Sequence, residues 1–321
     1  MPMKLLYPVN WKDYELIDSG DFEKLERFGN YILTRPEPQA VWGKSLSSGE
    51  WEKLSHAFFR KEKNDPEKGK WSLKNNMPEQ WYIGYQYKEM QLKMRLGLTG
   101  FKHVGVFPEQ SENWDYIYDQ IKKHQQSGSA SSLSSSEKDN GLEKNQSQQS
   151  EKPRILNLFA YTGGASLASI AAGADVVHVD SVKPVLSWAR ENMEASGMSG
   201  IRWMLEDALK FVQREVRRGN SYHGIILDPP AYGRGPDGEK WVLEDSINEM
   251  MKLCSQLLLP EKSFLILNLY SIGFSAMIAE NLIHSHFGKS GNLEIGELYI
   301  PDRAEKKLPL GVFARLETNG K

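Results

Sequence analysis

Three carboxylates close three successive apolar runs: Asp180 ends VVHVD, Asp207 follows IRWMLE, and Asp228 ends GIILD. A single such Asp often caps a helix or stays solvated. A succession of them suggests a common ligand, because open parallel sheets bind ligands outside the carboxyl ends of their strands. Just upstream, ILNLFAY leads into Thr162-Gly163-Gly164, and paired glycines after a strand permit a tight turn and a close backbone approach. The run lacks the third glycine of G-x-G-x-x-G, the pattern that seats a pyrophosphate on a helix N-terminus. A nucleoside-like ligand without phosphate fits better. Asp180 is then placed to accept from both ribose hydroxyls, and Asp207 from an adenine amino group.

The turn Asp228-Pro229-Pro230-Ala231-Tyr232 has its own logic. Proline fixes φ and removes N–H donors, so the carbonyls of a stiff turn are left to accept from an incoming amino group. Asp228 and the Pro229 carbonyl can orient such a group's lone pair, with Pro230 stiffening the turn. Tyr232 can stack on a planar target, as aromatic side chains do on bases.

These residues need strands to carry them and helices to cross between. The stretch 153–321 alternates short apolar runs with helical patterns such as VLSWARENMEASG, ALKFVQREVRRG and SINEMMKLCSQLL, which implies a parallel sheet covered on both faces. The expected fold is α/β, a doubly wound Rossmann-like sheet. LEIGELYIP and LGVFARLE flank a charged turn and predict a terminal antiparallel hairpin. Residues 125–152 hold almost no apolar side chains and read as a flexible linker. Before it, residues 1–124 form a smaller α+β module rich in Trp and Tyr. Alternation in QWYIGYQYKEMQLKMRLG predicts a long hairpin whose aromatic residues pack a core.

With 321 residues and 40% hydrophobic composition, the chain can bury two cores. No stretch approaches the ~20 apolar residues that span a bilayer, which makes the cytoplasm the expected location. A single cysteine, Cys254, excludes an intrachain disulfide and any Cys-rich metal site. His284 and His286 point to different faces with no third ligand nearby, so no metal is expected. The formal net charge of -2 gives nucleic-acid binding no global support. Basic clusters at Arg60-Lys61-Glu62-Lys63 with Lys68 and Lys70, and at Arg214 with Arg217-Arg218, read as solvated faces.

With Asn157-x-Phe159-x-Tyr161-Thr162-Gly163-Gly164, Asp180-Ser181, Asp207 and Asp228-Pro229-Pro230-Ala231-Tyr232-Gly233-Arg234-Gly235 in order, the chain resembles the class I methyltransferases related to bacterial large-subunit ribosomal RNA methyltransferases. The likeness covers residues 153–321 and extends to Gly105-Val106-Phe107-Pro108-Glu109-Gln110, which looks like the segment leading a preceding hairpin back to the pocket. It implies S-adenosyl-L-methionine as methyl donor, held by the strand-end groups and by Asn157, Phe159, Tyr161, Thr162, Gly163 and Ser181, with Phe107, Glu109 and Gln110 near it. Relatives that make 5-methylcytosine use a cysteine thiolate after the strand that here reads FLILNLY; this chain has Tyr270-Ser271-Ile272-Gly273 there. Cys254 lies in a helical pattern as a buried apolar residue. The expected reaction is therefore methylation of an RNA base nitrogen. The rivals are a protein or small-molecule acceptor and a module that binds the donor without turnover; an NAD-dependent oxidoreductase lacks its third glycine.

Overall fold

The computed structural model describes residues 2–62, 65–74, 76–134, 152–270 and 273–318. The chain opens with β1 (Lys4–Leu6), β2 (Tyr14–Gly20), β3 (Glu23–Phe28), β4 (Tyr31–Pro36), α1 (Ser48–Leu54), β5 (Ala57–Glu62), β6 (Asp65–Leu73), β7 (Gln80–Tyr87) and β8 (Met90–Gly97). A single 3-10 turn, Pro108–Gln110, leads into the long helix α2 (Ser111–Ser134). Then come β9 (Arg154–Leu158), α3 (Gly164–Ala171), β10 (Asp175–Asp180), α4 (Lys183–Ala195), β11 (Arg202–Leu205), α5 (Ala208–Arg217) and β12 (Gly224–Leu227). The rest is β13 (Tyr232–Arg234), β14 (Lys240–Val242), α6 (Leu243–Leu257), β15 (Phe264–Leu269), α7 (Ala276–Phe287), β16 (Asn292–Pro301) and β17 (Lys307–Glu317).

The main sheet has eight strands in the order β1-β16-β17-β15-β12-β9-β10-β11. From β9 the chain steps outward through β10 to β11, then returns to β12 on the other side, so the crossing direction reverses between β9 and β12. That reversal opens the crevice at their carboxyl ends. β9, β12 and β15 are buried on both faces, as parallel strands covered by helices must be, and this is why RILNL, GIIL and FLILNL read as nearly unbroken apolar runs. β17 runs antiparallel between β15 and β16, the expected terminal hairpin. β1 then pairs in parallel with β16, Lys4 opposite Gly296, so the first strand of the chain belongs to the sheet formed by its second half. A Cβ at Gly296 would run into the Lys4 backbone, so only glycine admits the strand this closely.

β2 to β6 form a separate five-stranded sheet. β7 and β8 make the predicted hairpin, and alternate residues such as Trp81, Ile83, Tyr85, Leu92 and Met94 face inward. Those aromatic rings fill a core and do not form an exposed stacking surface. That core is shared: the same buried cluster contains Met94, Trp114 and Ile117 along with Ile155, Leu167 and Ile226. α2 continues to Ser134, into the stretch expected to be linker, and residues 135–151 of that stretch lie outside the described residues.

Gly105 joins the two halves at one point. It has φ +105, which only glycine adopts cheaply, and a Cβ there would strike the Trp188 indole. Trp188 cannot retreat, because its Nε1 donates to the Arg95 carbonyl at 2.9 Å. Gly105→Ala is expected to destabilise the protein by about 3 kcal/mol, combining left-handed strain with overpacking. A melting temperature within ~1 °C of the parent would show that this contact is looser than described.

Candidate active site

The loop after β9 turns sharply through three left-handed residues: Phe159 (φ 54), Tyr161 (φ 49) and Gly163 (φ 93). The two that are not glycine each cost on the order of 1–3 kcal/mol, so the surroundings must hold them in place. The Tyr161 amide donates to Asp180 Oδ2 at 2.9 Å and Thr162 Oγ1 to the Gly105 carbonyl at 2.7 Å. Asn192 Nδ2 on α4 donates to the Thr162 carbonyl at 2.9 Å, and the Phe159 ring packs on Trp241 at 4.7 Å. The loop is thus fixed from four directions before any ligand arrives.

Behind it, Asn157 Nδ2 donates to Ser166 Oγ at 2.9 Å, and Ser166 Oγ lies 3.0 Å from His178 Nδ1. Burial pushes the His178 pKa down to about 3, with Arg190 adding to the effect, so the ring stays neutral. Asn157 therefore anchors the first turn of α3 while also lining the pocket.

The pocket opens above this loop. Of the residues singled out from sequence, Phe107, Gln110, Asn157, Phe159, Tyr161, Thr162, Gly163 and Asp228 line it. Trp114 forms part of its wall: a Cβ on Gly164 would enter the Trp114 ring, so the glycine is what lets loop and indole meet. The Phe107 ring packs on Tyr161 at 5.4 Å and on Tyr270 at 6.5 Å. At the deep end, Asn268 Nδ2 and Asn113 Nδ2 donate to Gln110 Oε1 at 3.2 and 2.9 Å, Asn113 Nδ2 also donates to Asn268 Oδ1, and Arg315 Nε donates to Asn113 Oδ1 at 2.9 Å. Trp114, Asn113 and Asn268 were not identified from sequence. A Trp on an amphipathic helix and an Asn inside an apolar strand look like ordinary packing until the two elements are brought together.

Other predicted residues stand apart from the pocket wall. Asp180 sits behind the loop, its carboxylate accepting from the Tyr161 and Val182 amides, each at 2.9 Å, and bonded also by the Ser181 amide. Burial outweighs these bonds and raises its pKa above the usual carboxylate value. Asp207 is the N-cap of α5, accepting from the Lys210 amide at 2.9 Å. Tyr232 is 51% exposed on the β13-β14 hairpin. The aromatic residue that turns inward from that hairpin is Trp241, whose Nε1 donates to the Pro230 carbonyl at 2.7 Å. Glu109 is buried but does not line the pocket.

Asp228 is the exception among these acids. It faces the pocket, and no described residue donates a hydrogen bond to its carboxylate. Burial alone pushes its pKa up to about 6. Cys254, by contrast, is wholly buried in α6, where burial pushes the thiol well above its ordinary range, far from any nucleophilic role. Ser271 and Ile272 of the segment after β15 lie outside the described residues. Among the described residues, no three His, Cys, Asp or Glu side chains form a potential metal cluster, and no helix is long and apolar enough to cross a membrane.

The site fits adenosylmethionine. The glycine turn lets the loop close on Trp114 and Ala189 to form one wall, and the Asn268–Gln110 end sets amide groups on the pocket, polar partners of the kind an amino-acid part requires. Asp180→Ala is expected to weaken donor binding about 10- to 100-fold, because it removes the carboxylate that anchors the Tyr161 amide of the pocket loop. Calorimetric titration with adenosylmethionine checks this, and an unchanged affinity would remove Asp180 from the donor site.

Comparison with known proteins agrees with the geometry. A crystal structure titled as a SAM-dependent methyltransferase from Agrobacterium tumefaciens superposes with a TM-score of 0.83 at 33% sequence identity, covering 98% of this chain and 94% of that one. Ribosomal RNA large subunit methyltransferase I of Aeromonas salmonicida is 35% identical over 82 residues, 25% of this chain and 21% of the relative. Ribosomal RNA large subunit methyltransferase K/L of Shewanella frigidimarina is 26% identical over 185 residues, 56% of this chain and 22% of the relative. The chain thus spans about a fifth of the length of these two ribosomal RNA enzymes. The family model of S-adenosylmethionine-dependent methyltransferases matches residues 102–286, more than half of the sequence and every element that builds the pocket's glycine turn and acidic strand ends. The chain therefore belongs to the S-adenosylmethionine-dependent methyltransferases, with S-adenosyl-L-methionine as its methyl donor.

Proposed function

We propose that this methyltransferase modifies a nitrogen of an RNA base, in ribosomal RNA or an RNA like it. The observation that carries the reading is Asp228, a partly buried carboxylate facing the pocket with no hydrogen-bond partner among the described residues, at the start of a Pro-Pro turn. An acceptor-only group left without a protein partner at a pocket wall is poised to receive an N–H from a ligand. Because Trp241 engages the Pro230 carbonyl, the turn is rigid, and the Pro229 carbonyl is the second acceptor we assign to the incoming amino group. Tyr232, exposed on the hairpin that follows, is available to stack on a base. The lack of an accessible thiol disfavours the carbon-5 route, and two relatives named as ribosomal RNA large subunit methyltransferases match stretches of 82 and 185 residues of the chain.

When bound, adenosylmethionine supplies a methyl group activated by its sulfonium. The protein's share is positioning: the loop at 159–164 and Trp114 hold one side, Asp228 aims the nitrogen lone pair, and Phe107 with Tyr161 keeps water out. We read residues 1–124 as the module that helps to hold the acceptor and residues 153–321 as the transferase domain, with 125–152 joining them. We place the enzyme in the cytoplasm. Nucleoside mass spectrometry of total RNA from cells with and without the gene tests the reading. An identical set of modified nucleosides in both would overturn it, and tritium from labelled adenosylmethionine appearing in protein would replace it with a protein acceptor.

A further inference from the structure

β5 and β6 form a hairpin that pairs with β4 at Leu33 and Thr34, opposite Ala57 and Phe58, and then runs on beyond it. One of its faces is braced. Phe59, 6% exposed, meets Trp71 edge-on at 5.2 Å between ring centroids, and Gly69 lies so close to the Phe59 ring that a Cβ would enter it. Trp71 Nε1 donates to the Phe101 carbonyl at 3.3 Å and the Gly69 amide to the Gly100 carbonyl at 3.0 Å, which ties the hairpin to the segment leading into the pocket. By the alternation of the strands, the opposite face carries Phe58, Arg60, Lys68, Lys70 and Ser72, with Arg60 directly across from Lys70. Arg60, Lys61 and Lys70 are exposed, and their side chains have no hydrogen-bond or ion-pair partner among the described residues. The hairpin's acids, Glu62 and Asp65, oppose each other at its turn.

Like charges directly opposite across strands destabilise a sheet, and an anion seated between them turns that repulsion into two attractions. Phe101, 49% exposed, pairs with Lys68 in an antiparallel bridge and so stands beside these cations. Phe107, which lines the pocket, follows six residues later, at most about 22 Å away even if the chain were fully extended. We propose that this face, centred on Arg60 and Lys70 with Phe101 beside it, binds the phosphate backbone of the acceptor RNA next to the target base. This rests on the reading of the acceptor as RNA. The combination selects an unpaired strand: the cations meet successive phosphates, while the exposed ring offers a stacking surface to a base. Because Phe59 and Trp71 brace the hairpin from behind, the charges are presented on a fixed backbone, which limits the ordering cost of binding. The chain's net charge of -2 supplies no general attraction to RNA, so the local excess must do so.

The test uses the full chain and two readouts: titration of a short fluorescent oligouridylate across a salt series, and transfer of tritium from adenosylmethionine to RNA and to protein from cells lacking the gene. Arg60→Gln combined with Lys70→Gln should weaken oligouridylate binding about tenfold at low salt and lower the salt slope by about 1.4, as the loss of two phosphate contacts to a single strand requires. KM for RNA should rise in step, while donor affinity stays within about threefold. The charge-preserving pair Arg60→Lys with Lys70→Arg should restore both. Removing as many charges elsewhere, by Arg217→Gln with Arg218→Gln, should change the slope by less than about 0.3. The Arg60/Lys70 glutamine variant should also melt no lower than the parent, since it relieves a like-charge pair. Label in RNA with parental slope and KM in that variant would overturn this surface and leave the RNA reading standing. Label in protein alone would overturn both. An equal drop in slope from the Arg217/Arg218 variant would show diffuse attraction in place of a site, and overturn the assignment.

Discussion

Asp228→Ala is expected to lower turnover by about 100- to 1,000-fold while adenosylmethionine still binds within about threefold of the parent affinity. The asymmetry follows from what the carboxylate touches. Asp228 makes no hydrogen bond to the loop that holds the donor, so its removal leaves Tyr161, Thr162 and Asn157 where they are. What disappears is the acceptor of an N–H at the reacting nitrogen, a contact realised only as the nitrogen is aimed at the methyl group. The variant should also melt no lower than the parent at pH 8. A carboxyl whose folded pKa is raised from 3.8 to about 6 favours the protonated form in the fold, so its contribution is lost as pH rises through 6 and its charge is a liability above that. Single-turnover kinetics beside calorimetric donor titration checks the first part, and matching losses in both assays would mean that Asp228 holds the donor.

Arg35→Ala should be the most destabilising single change in the N-terminal sheet, by about 3–5 kcal/mol. Glu26 is 1% exposed and receives Arg35 Nε at 2.8 Å and Arg35 Nη2 at 2.6 Å, with Tyr14 Oη donating at 2.9 Å. Burial would raise the Glu26 pKa, but the charges of Arg35 and then Lys24 outweigh it and hold the carboxyl below its usual value. Stability from that group is therefore present above the unfolded carboxylate pKa and lost as pH falls through the folded one. Without Arg35, the buried Glu26 carboxylate keeps only the Lys24 ammonium, at 3.6 Å, as a partner charge at neutral pH. The melting deficit should be greatest at pH 7 and shrink as the pH falls into the acid range, because Glu26 without its guanidinium partner is left to burial, which favours the protonated carboxyl. A deficit independent of pH would show that lost packing against Phe28, over whose ring the guanidinium lies at 5.3 Å, dominates.

What the sequence by itself determined is the part encoded locally. The two-sided apolar runs of β9, β12 and β15 dictate covered parallel strands, and the residues that end them fall at the crevice because a strand's last residue stands at its carboxyl edge whatever its neighbours are. Thr162-Gly163-Gly164 and Asp228-Pro229-Pro230 were legible for the same reason: each acts through backbone conformation within a few residues. The tertiary structure decided everything that depends on long-range pairing. Only there does Lys4 meet Gly296, the Trp114 indole come under Gly164, and Asn268 bond to Gln110. The direction a side chain takes was equally hidden. Asp207 spends one oxygen on the Lys210 amide, Tyr232 points to solvent while Trp241 turns inward, and Glu109 is buried away from the pocket that Phe107 and Gln110 line. Sequence spacing fixes which residues share an edge or a turn, but whether a carboxylate at that edge meets a backbone amide, a guanidinium or nothing at all depends on elements distant in the chain, and here that difference sets apart Asp180, Glu26 and Asp228.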